Sequence, residues 1–230
     1  MEIRFELNTT NTLILANVCI FIISMALATT LGSDKEALSI LGADGYYYFS
    51  NGQFWRVVTS SFLHANILHL FVNMYALYSL GLIFEKNFGG RRLFALYVTS
   101  GVTGSLLSMF VYFIKVQLDL VEPNIIELGV GASGALFGII GYLVSMPYIN
   151  IEKNRLYYLL ALNLIIGVVF ANYIDNWAHI GGFVGGLLIG FSDRNPNNNL
   201  GSWKRPDLQY TISLVTVLLS YVAMLIYNIF

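Results

Sequence analysis

An all-α polytopic membrane protein is the fold that the sequence predicts, built as a six-helix core with one further transmembrane helix at the C-terminal end. Three observations carry this. Of the 230 residues, 57% are hydrophobic and only 11% are charged, where a soluble domain has about 25% charged. So few charges cannot cover a surface that faces water. Seven apolar segments follow one another along the chain. Serine, histidine and asparagine stand inside three of them, where polar groups are expensive and functional by default.

The first segment, Thr12–Leu31, is preceded by Glu2, Arg4 and Glu6 rather than by a basic stretch. It therefore reads as a retained span and not as a cleavable signal. The connection from about Gly32 to Asn66 carries Tyr46-Tyr47-Tyr48-Phe49 and Phe54-Trp55-Arg56. It is too apolar for a free loop, and its aromatic residues suit a membrane interface. Trp55-Arg56 and His64 read equally as interface anchors. Next come Ile67–Phe84, Leu93–Ile114, Ser133–Tyr148, Leu156–Asn172, Trp177–Phe191 and Tyr210–Phe230. A full span takes about 20 residues, so the fourth to sixth are short. A helix that begins below the membrane surface is tolerated where its end lines a cavity. Asn195–Arg205 is polar, and it separates a core over 1–194 from a seventh helix over 210–230, with 195–209 as linker.

Lysine and arginine set the orientation. With the N-terminus inside, nine of these residues fall on the cytoplasmic side, including Arg91, Arg92, Lys153 and Arg155, against three outside, Lys35, Arg56 and Lys115. A net charge of −1 argues against nucleic acid as a partner. The single Cys19 excludes a disulfide framework and a cysteine metal site.

Helix rise brings the polar residues to one level. Counted from Ile149, Ser192 and Phe84 at 1.5 Å per residue, Ser133 lies about 24 Å, His179 about 20 Å, His69 about 22 Å and Asn73 about 16 Å above the cytoplasmic face. All four fall in the outer half of a core about 30 Å thick. Gly134 with Gly138, and Gly182 with Gly186, form small-xxx-small faces that let two helices approach closely. A close crossing puts the Ser133 hydroxyl within reach of the His179 imidazole and the Phe137 ring beside that imidazole. Such a serine also serves simply as a packing position, and His69 with Asn73 as a structural interhelical pair. Their joint occurrence at matched depth favours a single site.

A serine becomes a nucleophile when a base takes its proton, and His179 is the natural base. The oxyanion of a tetrahedral intermediate needs donors. Asn73 and His69 offer side-chain N–H groups, and the helix beginning at Ser133 offers free backbone N–H groups. The sixth apolar segment holds no acidic residue near His179, so a dyad is expected, its imidazole oriented by an aromatic ring.

Taken together, these residues resemble the rhomboid family of intramembrane serine proteases. The resemblance rests on Trp55-Arg56, on His69-Leu70-Phe71-Val72-Asn73, on Gly131-Ala132-Ser133-Gly134, and on Ala178-His179 followed by Gly182 and Gly186. It spans about Gly52 to Phe191. It implies a water-filled site opening outward in the cell membrane, with Ser133 as nucleophile and His179 as base. His69, Asn73 and the Ser133 backbone N–H would form the oxyanion hole. The substrates it implies are single-span transmembrane proteins in the lipid bilayer, cleaved near the outer face without metal or cofactor. The seventh helix is similar to a six-plus-one arrangement. Phe137 departs from a tyrosine common at its position, so a ring remains to stack while the hydroxyl is lost. The alternative is a non-proteolytic rhomboid-like protein that holds membrane clients.

Overall fold

The computed structural model describes residues 8–123, 125–147, 156, 158, 161, 174–194 and 206–229. Among these the protein is all-helical: α1 Thr9–Leu31, α2 Asp34–Ile40, α3 Tyr46–Ser50, α4 Arg56–Thr59 with a 3-10 turn Ser60–Phe62, α5 Ile67–Phe88, α6 Gly90–Gln117, α7 Ser133–Ser145, α8 Asn176–Arg194 and α9 Pro206–Ile229. Four of them, α1, α5, α6 and α9, are long and apolar enough to cross a membrane. Leucine, isoleucine, phenylalanine and tyrosine side chains stand exposed on their outer faces, among them Ile22, Phe71, Tyr75, Leu219 and Leu225. A belt of this kind suits lipid and not water. The chain is a polytopic helical membrane protein.

The helices begin and end for local reasons. Asn8 caps α1, its side-chain oxygen accepting the Asn11 N–H at 2.8 Å. Glu85 of α5 reaches the same end and accepts from the Thr9 and Thr10 N–H groups at 2.8 and 2.9 Å. Together they satisfy donors that a helix start leaves free. Asn66 caps α5 through the His69 N–H at 2.9 Å. Gly89, at φ 87°, turns the chain directly from α5 into α6. The sequence reading carried the fourth apolar segment to Tyr148, but α7 stops at Ser145 and Met146 is extended. Pro147 is the cause, because a proline drives the residue before it out of the helical region. Ser133 therefore stands twelve residues, or about 18 Å, above the last turn of its helix. The fifth apolar segment, 156–172, lies mostly outside the described residues. The last begins earlier than expected, at Pro206.

α7 lies at the centre, buried along nearly its whole length and packed by α8, α6 and α5. The main core gathers Leu77, Phe84, Leu93, Leu96, Ile139 and Leu143 around it. The 32–66 segment is folded rather than loose. Arg56 is 4% exposed. Its Nε donates to Gln53 Oε1 at 2.6 Å and its Nη1 to the carbonyls of Ala43 and Ser39 at 2.7 and 2.8 Å. The guanidinium also lies 3.8 Å over the Tyr48 ring. Arg56 is thus an internal tie rather than an interface anchor. His64, 1% exposed, is likewise a core residue. α9 packs against α6 and α4 and reaches this segment at its end: Gln53 Nε2 donates to the Tyr227 hydroxyl at 2.9 Å, Trp55 packs on the Tyr227 ring, and Asn228 Nδ2 donates to the Ile40 carbonyl at 2.8 Å.

Candidate active site

Glycine decides how close α7 and α8 come. A Cβ at Gly182 would overlap the Gly134 carbonyl, and one at Gly186 the Gly138 carbonyl. On the other side of α8, a Cβ at Gly104 of α6 would stand 2.7 Å from the Ala178 carbonyl. Three backbones therefore meet around Ala178 and His179. Gly134 differs from the rest, since a Cβ there would lie at an ordinary 3.4 Å from Ala178. Its part is to offer its own backbone to Gly182.

This crossing brings the two expected site residues together. Ser133 Oγ lies 2.8 Å from His179 Nε2. The Phe137 ring, one turn along α7 from Ser133, stacks on the imidazole at 4.2 Å and 11°. His179 is 8% exposed, and its Nδ1 has no hydrogen-bond partner among the described residues. The Phe137 ring on one face and the Ser133 contact at Nε2 hold the imidazole.

His69 and Asn73 come from α5, one turn apart, and converge on Gly131. A Cβ at Gly131 would be 2.8 Å from His69 Nε2 and 3.6 Å from Asn73 Nδ2. Gly131 also takes φ 130°, a conformation that favours glycine. Only a bare backbone lets the two side chains face the start of α7. Asn73 Nδ2 is buried and has no partner among the described residues, a donor held out of water and directed at this corner. Among the described residues no side chain caps α7, and a helix start leaves backbone N–H groups free, with the helix dipole behind them. Trp55 and Arg56 do not join this cluster; they hold the 32–66 segment that packs beside it.

Two contributors escaped the sequence reading. Asp175, just before α8, accepts from the Trp177 and Ala178 N–H groups at 3.1 and 3.0 Å and from the Ser108 hydroxyl of α6. It caps the histidine helix and ties it to α6. The signal was legible, for an aspartate immediately before an apolar helical run is a start mark. Ser60 is the other: its carbonyl accepts the Gly131 N–H at 3.0 Å, and nothing in the sequence near Ser60 indicates this.

Chemically, the cluster offers a hydroxyl in contact with an imidazole, beside a corner where side-chain and backbone donors converge. Comparison with known proteins addresses the chain as a whole. A family model described as the Rhomboid domain matches residues 51–196. RHOMBOID-like protein 5 of Arabidopsis thaliana is 38% identical over 167 residues, covering 70% of this chain and 51% of its own length. Rhomboid-like protease 3 of Toxoplasma gondii is 33% identical over 198 residues, covering 83% and 71%. Rhomboid protease AarA of Providencia stuartii is 33% identical over 206 residues, covering 81% and 73%. The chain spans about half the length of the first of these relatives. With the match extending over more than half of the sequence, this chain belongs to the rhomboid family.

Proposed function

We propose that this protein is an intramembrane serine endopeptidase that cuts transmembrane segments of single-span membrane proteins with a Ser133–His179 dyad. The observation that carries this is the 2.8 Å contact between Ser133 Oγ and His179 Nε2, under a stacked Phe137 ring. In the Nδ1–H tautomer, Nε2 accepts the serine O–H. As Oγ bonds to the scissile carbonyl carbon, its proton passes to Nε2. The carbonyl π electrons move onto oxygen, and the oxyanion meets Asn73 Nδ2, the His69 ring N–H and the Ser133 backbone N–H. Collapse breaks the C–N bond, and the imidazolium returns its proton to the leaving amine. Water, deprotonated by His179, then attacks the acyl-Ser133 ester; collapse breaks the C–Oγ bond, the imidazolium returns its proton to Ser133 Oγ, and the new carboxylate is released.

Lysine and arginine distribution supports a cell-membrane orientation with the N-terminus in the cytoplasm and the site towards the outer face. The names of the Toxoplasma and Providencia relatives support proteolysis as the activity. The test is reaction of the detergent-solubilised chain with a fluorophosphonate probe, together with cleavage of a single-span model substrate. Both are expected in the wild type and neither in Ser133→Ala. A folded wild type that takes no label would instead indicate a protein that binds membrane clients without cutting them.

A further inference from the structure

The segment that leads into Ser133 belongs to no helix. Asp44 and Gly129 form an isolated antiparallel bridge: the Asp44 N–H donates to the Gly129 carbonyl at 3.0 Å and the Gly129 N–H to the Asp44 carbonyl at 2.9 Å. Two residues on, the Gly131 N–H reaches the Ser60 carbonyl. The Asp44 carboxyl joins these two attachments. Its Oδ2 accepts from the Ser60 hydroxyl at 3.1 Å, and that hydroxyl lies 3.5 Å from the Ser105 hydroxyl of α6. Its Oδ1 is packed so closely on Gly129 that a Cβ there would overlap it. The residue is 8% exposed.

We infer that Asp44 is a positioning residue for proteolysis: its carboxyl, wedged between Ser60 and Gly129, holds the 129–131 segment so that Ser133 meets His179 and Gly131 meets His69 and Asn73. The inference rests on the protease reading. Burial pushes the carboxyl up to about 7, helped by Asp175 at the start of α8; hydrogen bonds from Ser105 of α6 and Ser60 of the 3-10 turn, and the charge of Arg56 on α4, oppose this. Below that pH the wedge is neutral. Above it the carboxylate forms in a buried site, its charge offset by the Ser60 and Ser105 hydroxyls and by Arg56.

The experiment uses the full chain in detergent, with wild type, Asp44→Asn, Asp44→Ala and Ser60→Ala. It reads kcat and KM on a single-span substrate from pH 6 to 9, and amide hydrogen exchange over 127–133 by mass spectrometry. A misplacement of about 1 Å costs on the order of a hundredfold in rate, so Asp44→Ala is expected to lower kcat by about ten- to a hundredfold with KM little changed. Exchange over 127–133 is expected to quicken in Asp44→Ala and, to a smaller degree, in Ser60→Ala, which removes the carboxyl's partner and serves where Asp44→Ala does not fold. Asp44→Asn, which keeps an acceptor for the Ser60 hydroxyl, is expected to keep kcat within a fewfold of wild type and to quicken exchange less than Asp44→Ala. Wild-type exchange rates in Asp44→Ala, or in Ser60→Ala where Asp44→Ala does not fold, overturn the inference. So does exchange in Asp44→Asn as fast as in Asp44→Ala. A wild type that neither cleaves nor labels would remove the protease reading, while the exchange rates would still decide whether Asp44 holds the segment.

Discussion

The carbonyl oxygen of Gly134 occupies the space that a side chain at Gly182 would need. Two helix backbones are in contact there, three residues from His179 and one from Ser133. Gly182→Ala is therefore expected to force α7 and α8 apart. Overpacking of this kind costs about 1–3 kcal/mol, and the dyad contact is lost with it. Gly134→Ala, whose Cβ has 3.4 Å of room, is expected to keep most stability and activity. Thermal unfolding in detergent and cleavage rates of the two variants test the asymmetry; equal damage from both would contradict it.

The proposed roles rank by severity. Ser133→Ala and His179→Ala are expected to abolish cleavage. Asn73→Ala removes one donor, and loss of one oxyanion donor costs about 10²–10³ in rate. Residual activity measurable in Asn73→Ala and absent in Ser133→Ala is the outcome to look for, with folding checked by thermal unfolding.

Phe137 stacks on His179 at 4.2 Å, and no described residue bonds Nδ1. The ring is expected to be replaceable by tyrosine but not by leucine. Phe137→Tyr should retain near-wild-type kcat, while Phe137→Leu should lose about tenfold, since a positioned general base contributes about 10²–10⁴ and only part of that depends on ring orientation. A leucine variant with wild-type kcat would show that something else orients the imidazole.

Asp175 caps the helix that carries His179 and binds Ser108 of α6. Replacing such a cap by alanine costs about 1 kcal/mol. Asp175→Ala is expected to lower both the melting temperature and kcat, and Asp175→Asn, which still caps, to lower them less. The order of the two variants in a thermal and kinetic comparison is the check.

His64 is buried beside His69, with ring centroids 5.1 Å apart. Burial, with His69 as a second cause, holds its pKa down to about 3, against 6.5 for a free imidazole. The folded protein thus binds fewer protons here than the unfolded chain between those values. The stability this group contributes is complete above pH 6.5 and is lost as pH falls towards 3. His64→Gln, which does not titrate, is expected to show a shallower decline of melting temperature between pH 6.5 and 4. A parallel decline would locate the acid sensitivity elsewhere.

Much of this architecture was legible in the sequence. Helix period and apolar runs located α1, α5, α6, α7, α8 and α9, and the glycine spacing at 182 and 186 announced the close crossing. Ser133, His179, His69 and Asn73 were each visible as polar residues in apolar helices. What was not legible depends on contacts remote in sequence. Nothing local near Asp44 points to Gly129, and nothing near Ser60 points to Gly131. Arg56 looked like an interface anchor because composition reports that a charge sits among aromatics, not that carbonyls at 39 and 43 enclose it. Asp175 escapes notice because the apolar run starts at Trp177, whereas the helix that Asp175 caps starts one residue earlier, at Asn176.

The contact between Gln53 and Tyr227 joins residues 174 positions apart. At a synthesis rate of about 5–20 residues per second, the ribosome adds Tyr227 roughly ten to thirty-five seconds after Gln53. Throughout that interval the earlier spans can insert and pack, but Gln53, Trp55 and Ile40 wait for their partners on the last helix. The 32–66 segment can gain these contacts only once α9 has been made, which separates insertion of the earlier helices from completion of this part of the fold.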